Sequence, residues 1–169
     1  MKVFENDVTF NYSPAQIFSA LHRKYPNPHA THVYSVDTID RTVDPDTGIL
    51  RSERLIGLFH LPPTAYVREV VFVDPENNKA VMMSVNLSLA QYVSCLELIN
   101  YLPSPINPQT TLFKQRALLI SGFPTRMIAR RIEQASFDRF KSNAGIGKQG
   151  FEWVLNGGDQ ASLPRPTLD

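Results

Sequence analysis

One cysteine, Cys95, is all that 169 residues contain, and that excludes an internal disulfide framework. No apolar run approaches the roughly 20 residues that a membrane-crossing helix needs. An excess of one charge is missing too. Seventeen Lys and Arg stand against sixteen Asp and Glu, for a formal net charge of +1. The chain as a whole therefore lacks the electrostatic footprint of a nucleic-acid binder, and any basic function must rest on local clusters. The opening Met1-Lys2-Val3-Phe4-Glu5-Asn6-Asp7 turns acidic at once and carries no cleavable signal pattern. Composition thus leads to the expectation of one soluble, intracellular domain with a sizeable core.

Signals of catalysis are also scarce. Cys95 and the four histidines form no nucleophile motif with a recognisable partner. His29 and His32 stand three apart, but a proline corner precedes them and no carboxylate or cysteine cluster completes a zinc site. Aromatic and basic residues do not interleave as RNA stacking requires. The expectation is a non-enzyme with no cofactor, no metal and no nucleic-acid partner.

What is present reads as alternating strands closed by a helix. Val3–Tyr12 alternates as a strand. Ser13-Pro14 supplies an N-cap and a proline at the first helical position, and Ile17, Phe18, Leu21 and Tyr25 give Pro14–Tyr25 an apolar helical face. Strands follow over His32–Val43, Ile49–Ile56, Ala65–Val73, Ala80–Leu87, Val93–Tyr101 and Thr111–Ser121. Asp44-Pro45-Asp46-Thr47-Gly48 and Asp74-Pro75-Glu76-Asn77-Asn78 are turns between them. After Gly122-Phe123-Pro124 the period becomes helical through Ile128, Ile132, Phe140, Ala144, Phe151 and Val154, which predicts a helix from Thr125 to Leu155. Residues 1–155 form one domain in this reading and 156–169 a flexible tail. Strands in hairpin order with helices at both ends mean α+β, an antiparallel sheet with helices on one face. Thr111–Ser121 carries Lys114 and Arg116 on one face and Gln115 on the other. Polar residues on both faces fit either a wet cavity or ordinary edge strands.

Three cations are candidates for an anion site. Arg23-Lys24-Tyr25-Pro26-Asn27-Pro28 closes the first helix in a rigid corner, His32 begins the next strand, and Arg54 lies on the strand after it. By spacing alone Lys24 is a solvated helix-terminal lysine favoured by the helix dipole; a phosphate site is the alternative. The long helix carries Arg126, Arg130, Arg131, Arg139, Lys141 and Lys148, interrupted by Glu133 and Asp138. A solvated outer face and contact with an anionic membrane, chiefly through Arg130, Arg139, Lys141 and Lys148, are both open readings. Gly145, Gly147 and Gly150 in the same helix suggest close packing on the sheet.

The corner, with His32-Val33, Val36-Asp37, Arg51-Ser52-Glu53-Arg54-Leu55, Tyr66-Val67-Arg68-Glu69-Val70, Val73-Asp74-Pro75, Asn86-Leu87-Ser88, Thr111-Leu112-Phe113 and Phe151-Glu152-Trp153-Val154-Leu155, resembles the PRELI-like (slowmo) family of mitochondrial lipid-transfer proteins. The start, Met1 to Asn6 with Phe10-Asn11-Tyr12, is closer to the slowmo branch. The resemblance covers about residues 1–155. It implies a curved antiparallel sheet gripping the long helix around a lipid cavity, as in steroid and phospholipid carriers. It further implies transfer of an anionic glycerophospholipid, phosphatidylserine first and phosphatidic acid second. Lys24, His32 and Arg54 would be headgroup contacts. A small helical twin-cysteine partner in the mitochondrial intermembrane space is implied as well. A lipid-modifying enzyme and a non-catalytic interaction module are the alternatives. Between Leu55 and Tyr66 this chain departs from the family, whose relatives carry a longer lid there; the lid is short here, natively or by deletion.

Overall fold

Alternation and turn chemistry place the strands almost to the residue. The computed structural model describes residues 1–59 and 64–163. The short-lid expectation falls in part on 60–63 and the tail expectation in part on 164–169; those stretches lie outside the described residues. The elements are β1 (Lys2–Phe10), α1 (Pro14–Leu21), β2 (Val33–Val43), β3 (Leu50–Phe59), β4 (Thr64–Asp74), β5 (Lys79–Asn86), β6 (Val93–Pro103), β7 (Thr111–Ser121) and α2 (Arg126–Leu155), with a 3₁₀ turn at Gln160–Ser162.

The strands form one sheet in the order β1-β7-β6-β5-β4-β3-β2. Every pair is antiparallel. Only β1 pairs out of sequence, crossing the sheet to join β7. Register shifts in β2, between Val33 and Ser35 and between Thr38 and Asp40, mark bulges that bend that edge. The α+β expectation of a curved antiparallel sheet with a long C-terminal helix is met.

Local chemistry explains the element ends. Ser13 and Gln16 form a reciprocal capping box at the start of α1, where Pro14 is the first helical residue. In the β2–β3 turn the Asp44 carboxylate accepts from the backbone of Asp46 (2.8 Å) and Thr47 (3.0 Å), and Gly48 takes a φ of 68°. α1 stops at Leu21, four residues short of the expected Tyr25. Lys24 therefore does not close a helix but lies on the corner beyond it. Buried Asn27 stitches that corner: its amide donates to Lys24 O (2.8 Å) and its Oδ1 accepts from His29 N (3.0 Å) and Ala30 N (2.9 Å). Those bonds serve the backbone better than another helical turn, which Pro26 cannot support with a donor.

The core lies between α1, the end of α2 and one half of the sheet. It joins Phe10, Ile17, Leu21, Val71, Met82, Ile99, Tyr101, Phe151 and Val154. α2 touches down twice. Around its midpoint Phe137 and Phe140 pack on Phe4, with ring centroids 5.9 Å apart in both pairs. Near its end Gly150, Phe151 and Val154 are buried. Between them, no residue of 141–149 is buried. Of the three helix glycines only Gly150 marks close packing, since a Cβ there would lie 2.5 Å from the Asn27 side chain; nothing stands within 4 Å of a Cβ at Gly145 or Gly147.

Candidate functional site

Strand parity decides what faces the helix side of the sheet. The register pairs Arg54 with Glu69, Glu69 with Ser84, and Ser84 with Glu97. Gln115 pairs with Ile99 and with Asn6. All of these residues lie on the inner face, and they form a polar belt across six strands. The Asn6 amide donates to Gln115 (3.2 Å), Gln115 Nε2 to Glu97 (2.5 Å), and Ser84 Oγ to Glu97 (2.8 Å). Arg54 donates through Nε (2.9 Å) and a terminal nitrogen to the same oxygen of Glu69. Gln115 thus faces in while Lys114 and Arg116 are exposed outside, so polar residues on both faces of β7 reflect a polar interior. Val67, Ser84, Cys95 and Glu97 keep partial access there, opposite the unburied stretch of α2.

Lys24 reaches this interior from the corner. Its ammonium stands 5.4 Å from the Tyr25 ring centroid and 6.0 Å from that of Phe151, within cation–π range. Burial works against its charge, but Tyr25, Tyr101, Glu69 and Glu97 outweigh it and raise its pKa. Tyrosine is neutral at physiological pH, so the two carboxylates hold Lys24 charged there. Close by, Tyr101 is fully buried, and its hydroxyl has no hydrogen-bond partner among the described residues. Burial pushes the pKa of that hydroxyl up, so it remains a donor. An unpaired buried donor costs about 1–3 kcal/mol, and such a group fits a ligand oxygen.

Of the three expected headgroup residues, the structure brings Lys24 and Arg54 together around Glu69. Arg54 is only 2% exposed and committed to that carboxylate, with a longer bond to His22 O (3.4 Å). His32 lies elsewhere: its carbonyl accepts from Phe59 N (2.8 Å), five residues along β3 from Arg54, or roughly 16 Å of strand. His22 was not singled out by the sequence. Its ring pairs with Ser52 Oγ at 2.8 Å; burial, aided by Arg41 and Arg54, lowers its pKa to about 4. Glu69, Glu97 and Tyr101 were missed as well. For the two glutamates a signal was available, a carboxylate set among inward apolar residues in Val67-Glu69-Val71 and Cys95-Glu97-Ile99.

The expected membrane residues divide. Arg130, Lys141 and Lys148, eleven and seven apart, fall on one stripe of α2. Arg139 is half a turn away and interacts with Cys95, whose thiol burial pushes up. Lys148 pairs loosely with Glu152, 3.7 Å away. Among the described residues no group of His, Cys, Asp and Glu is arranged to hold a metal, and no helix is long and apolar enough to cross a membrane. Beyond α2, Tyr12 donates to Asn156 Oδ1 (2.5 Å), and Gln160 donates to the carbonyls of Arg23 (2.7 Å) and Pro26 (2.8 Å).

A model of the PRELI-like family matches residues 15–161. A UPS-like protein of Schizosaccharomyces pombe is 36% identical over 166 residues, covering 92% of this chain and 89% of that protein. The mitochondrial protein UPS2 of Saccharomyces cerevisiae is 34% identical over 167 residues, covering 92% and 73%. A slowmo homolog of Dictyostelium discoideum is 29% identical over 154 residues, covering 85% and 67%. Among solved structures, a Thermus thermophilus protein superposes with a TM-score of 0.65 at 12% identity, over 96% of this chain and all of that one. A START superfamily protein of Mycobacterium smegmatis gives 0.56 at 11%, over 90% and 98%.

Proposed function

The chain belongs to the PRELI-like family, and from that premise we propose that it carries an anionic glycerophospholipid between mitochondrial membranes. The observation that supports this most is an enclosed ammonium, Lys24, beside a polar belt inside an otherwise apolar grip. Two acyl chains drawn from a bilayer expose some 30 methylenes at about 0.8 kcal/mol each, on the order of 20 kcal/mol. In this reading the apolar surfaces of sheet and helix part to take up the chains and offset that cost, while the interior cation meets the phosphate. No bond need be made or broken, so the reading requires neither catalysis nor a cofactor.

In this reading Lys24 contacts the phosphate, Tyr101 donates to the same headgroup, and Arg54 holds Glu69 in place. His32 serves at the start of β2, nearer the β3–β4 end. Glu97 balances a positive group, which favours phosphatidylserine, with its ammonium, over phosphatidic acid. The mitochondrial UPS2 relative supports the compartment, and we place the protein in the intermembrane space with a small twin-cysteine helical partner. Arg130, Lys141 and Lys148 supply peripheral attraction to anionic membranes, screened over about 8 Å at physiological salt. The test is transfer of fluorescent phosphatidylserine between liposomes. Lys24→Glu should cut the rate at least about tenfold, a loss of one charge contact worth roughly 1.4 kcal/mol or more, and remain folded by circular dichroism. An unchanged rate in a folded variant would remove Lys24 from the site.

A further inference from the structure

We infer that the end of the molecule where β5, β6 and α2 meet is a rim that docks onto the surface of an anionic phospholipid bilayer. The inference rests on the carrier reading, because a carrier must touch the membrane from which it loads. It locates the contact away from most of the basic stripe on α2, sharing only Arg130 with it.

The β5–β6 loop, 87–92, presents apolar side chains to water: Leu87 is 50% exposed, Leu89 40% and Tyr92 47%. Leu89 holds a φ of 60°, a left-handed conformation in which glycine would be at ease and leucine is not. The loop is nevertheless fastened on both sides. Leu87 N donates to Tyr66 O (2.8 Å) and Tyr66 N to Ser88 Oγ (2.9 Å), tying it to β4. Ser121 Oγ (2.8 Å) and Gly122 N (3.2 Å) both donate to Tyr92 O, tying it to the chain that enters α2. In the first turn of α2, Met127 is 63% exposed. Beside it Arg126, Arg130 and Arg131 line an open groove of about 490 Å³.

Charge selects the occupant. Residues 86–96 and 121–132 contain no Asp or Glu. The next carboxylate, Glu133, is buried, where it accepts from Ser121 N (3.1 Å). At the opposite end of the same strands, the β2–β3 and β4–β5 turns carry Asp44, Asp46, Asp74 and Glu76. Along the strands the charge therefore runs from a cationic rim with apolar tips to an end where Asp44, Asp46 and Glu76 are exposed and Asp74 is paired with Lys79, which orients the molecule against a negative surface. Apolar tips entering the headgroup boundary with guanidinium groups at the phosphates match the way peripheral proteins meet anionic lipid.

The experiment compares the full chain with two variants in vesicle flotation. The vesicles are phosphatidylcholine alone or phosphatidylcholine mixed with phosphatidylserine. The first variant joins Leu89→Asp with Tyr92→Asp; aspartate tolerates the left-handed conformation, so the turn survives. The second replaces Arg126, Arg130 and Arg131 with Gln. A parallel arm measures uptake of a short-chain fluorescent phosphatidylserine in solution, with no bilayer present. The apolar variant should lose about tenfold or more in binding to the mixed vesicles, as expected for withdrawing two inserted side chains. The arginine variant should lose about fivefold per charge on the mixed vesicles and nothing on the neutral ones. Both should keep short-chain uptake and their thermal unfolding midpoints. Undiminished vesicle binding in either folded variant overturns the proposal. So does loss of binding to a soluble protein while vesicle binding persists, which would assign the rim to a protein. If the unmodified chain floats through this rim yet takes up no short-chain lipid, the carrier reading fails and the rim stands.

Discussion

At the scale of single residues, the interior is set by charges that depend on one another. Glu69 carries both the buried Arg54 and part of the field that keeps Lys24 charged. Glu69→Gln should therefore destabilise the fold by about 3–5 kcal/mol in urea unfolding, because it strands a buried guanidinium. Replacing Arg54 with Met and Glu69 with Leu together should recover most of that loss, since an apolar pair leaves nothing unpaired. If the single variant is as stable as the parent, the pair is not what holds the belt. His22 gives the protein an acid sensitivity of its own. Its pKa in the fold, about 4, lies below its ordinary value near 6.5, so the unfolded chain takes up the proton first. The stabilisation is complete above pH ~6.5 and is lost as pH falls from there toward 4, by an amount on the order of 2 kcal/mol for a half-buried ring. Glu53, lowered to about 2 by Arg68 and Arg51, loses its contribution only as pH falls below the ordinary glutamate value, mostly beneath that window. His22→Gln should flatten the stability profile between pH 6.5 and 4; an unaltered slope would assign the loss to another group.

At the scale of elements, α2 is held at two places, its middle around Glu133–Phe140 and its last turns around Gly150–Val154, with an unburied stretch between them. Its glycines separate the functions of space and flexibility. A Cβ at position 150 would collide with Asn27, which stitches the corner that presents Lys24. Gly150→Ala should cost stability and displace that corner, for a loss of at least about 1 kcal/mol despite the gain in helix propensity. Gly145→Ala and Gly147→Ala meet open space, so each should gain up to about 1 kcal/mol, as an exposed helical site does. Thermal denaturation of the three single variants reads the contrast directly. A stabilised Gly150→Ala would show that the corner yields to the helix. The strands obey a similar division. Their outer faces could accept many residues, whereas the inner face fixes Glu69, Ser84, Glu97 and Gln115 by cross-strand pairing, where a one-residue slip would turn the belt to solvent.

At the scale of the whole molecule, the sheet is one continuous body and α2 its least supported neighbour. The stretch Lys141–Gln149 has no buried residue, while Phe137 and Phe140 on one side and Phe151 and Val154 on the other are packed. Local opening is cheapest where buried apolar contact is least. Amides of 141–149 should exchange with deuterium faster than those of β6 and β7, and loading with phosphatidylserine should slow them, because a ligand that binds the closed form stabilises it by mass action. Equal protection along α2, with or without lipid, would remove this stretch from the proposed entry route.

Seven strands, both turns and the long helix followed from local rules: alternation, Asp-Pro turn chemistry, a Ser-Pro cap and helical spacing act within a few residues of one another. The family resemblance, carried by Arg51–Leu55 and the Pro-Asn-Pro corner among others, was likewise legible, and the family model agrees with it. Other features depended on which residues meet across the sheet. α1 ends at Leu21 because buried Asn27 ties the corner, a bond whose value lies in packing against Gly150 of a helix more than a hundred residues away. Lys24 looked like a solvated terminal lysine because nothing near it in sequence shows that Glu69, Glu97 and Phe151 surround it. Arg54 looked like a free cation because its partner lies on the next strand. Strand parity could have placed Glu69 and Glu97 inside, but only the register pairs one with Arg54 and sets the other against Ser84. Local sequence therefore decided which elements exist, since their energetics are short-ranged. The tertiary structure decided which charges are free to meet a ligand, since charge and burial act between residues that the fold alone brings together.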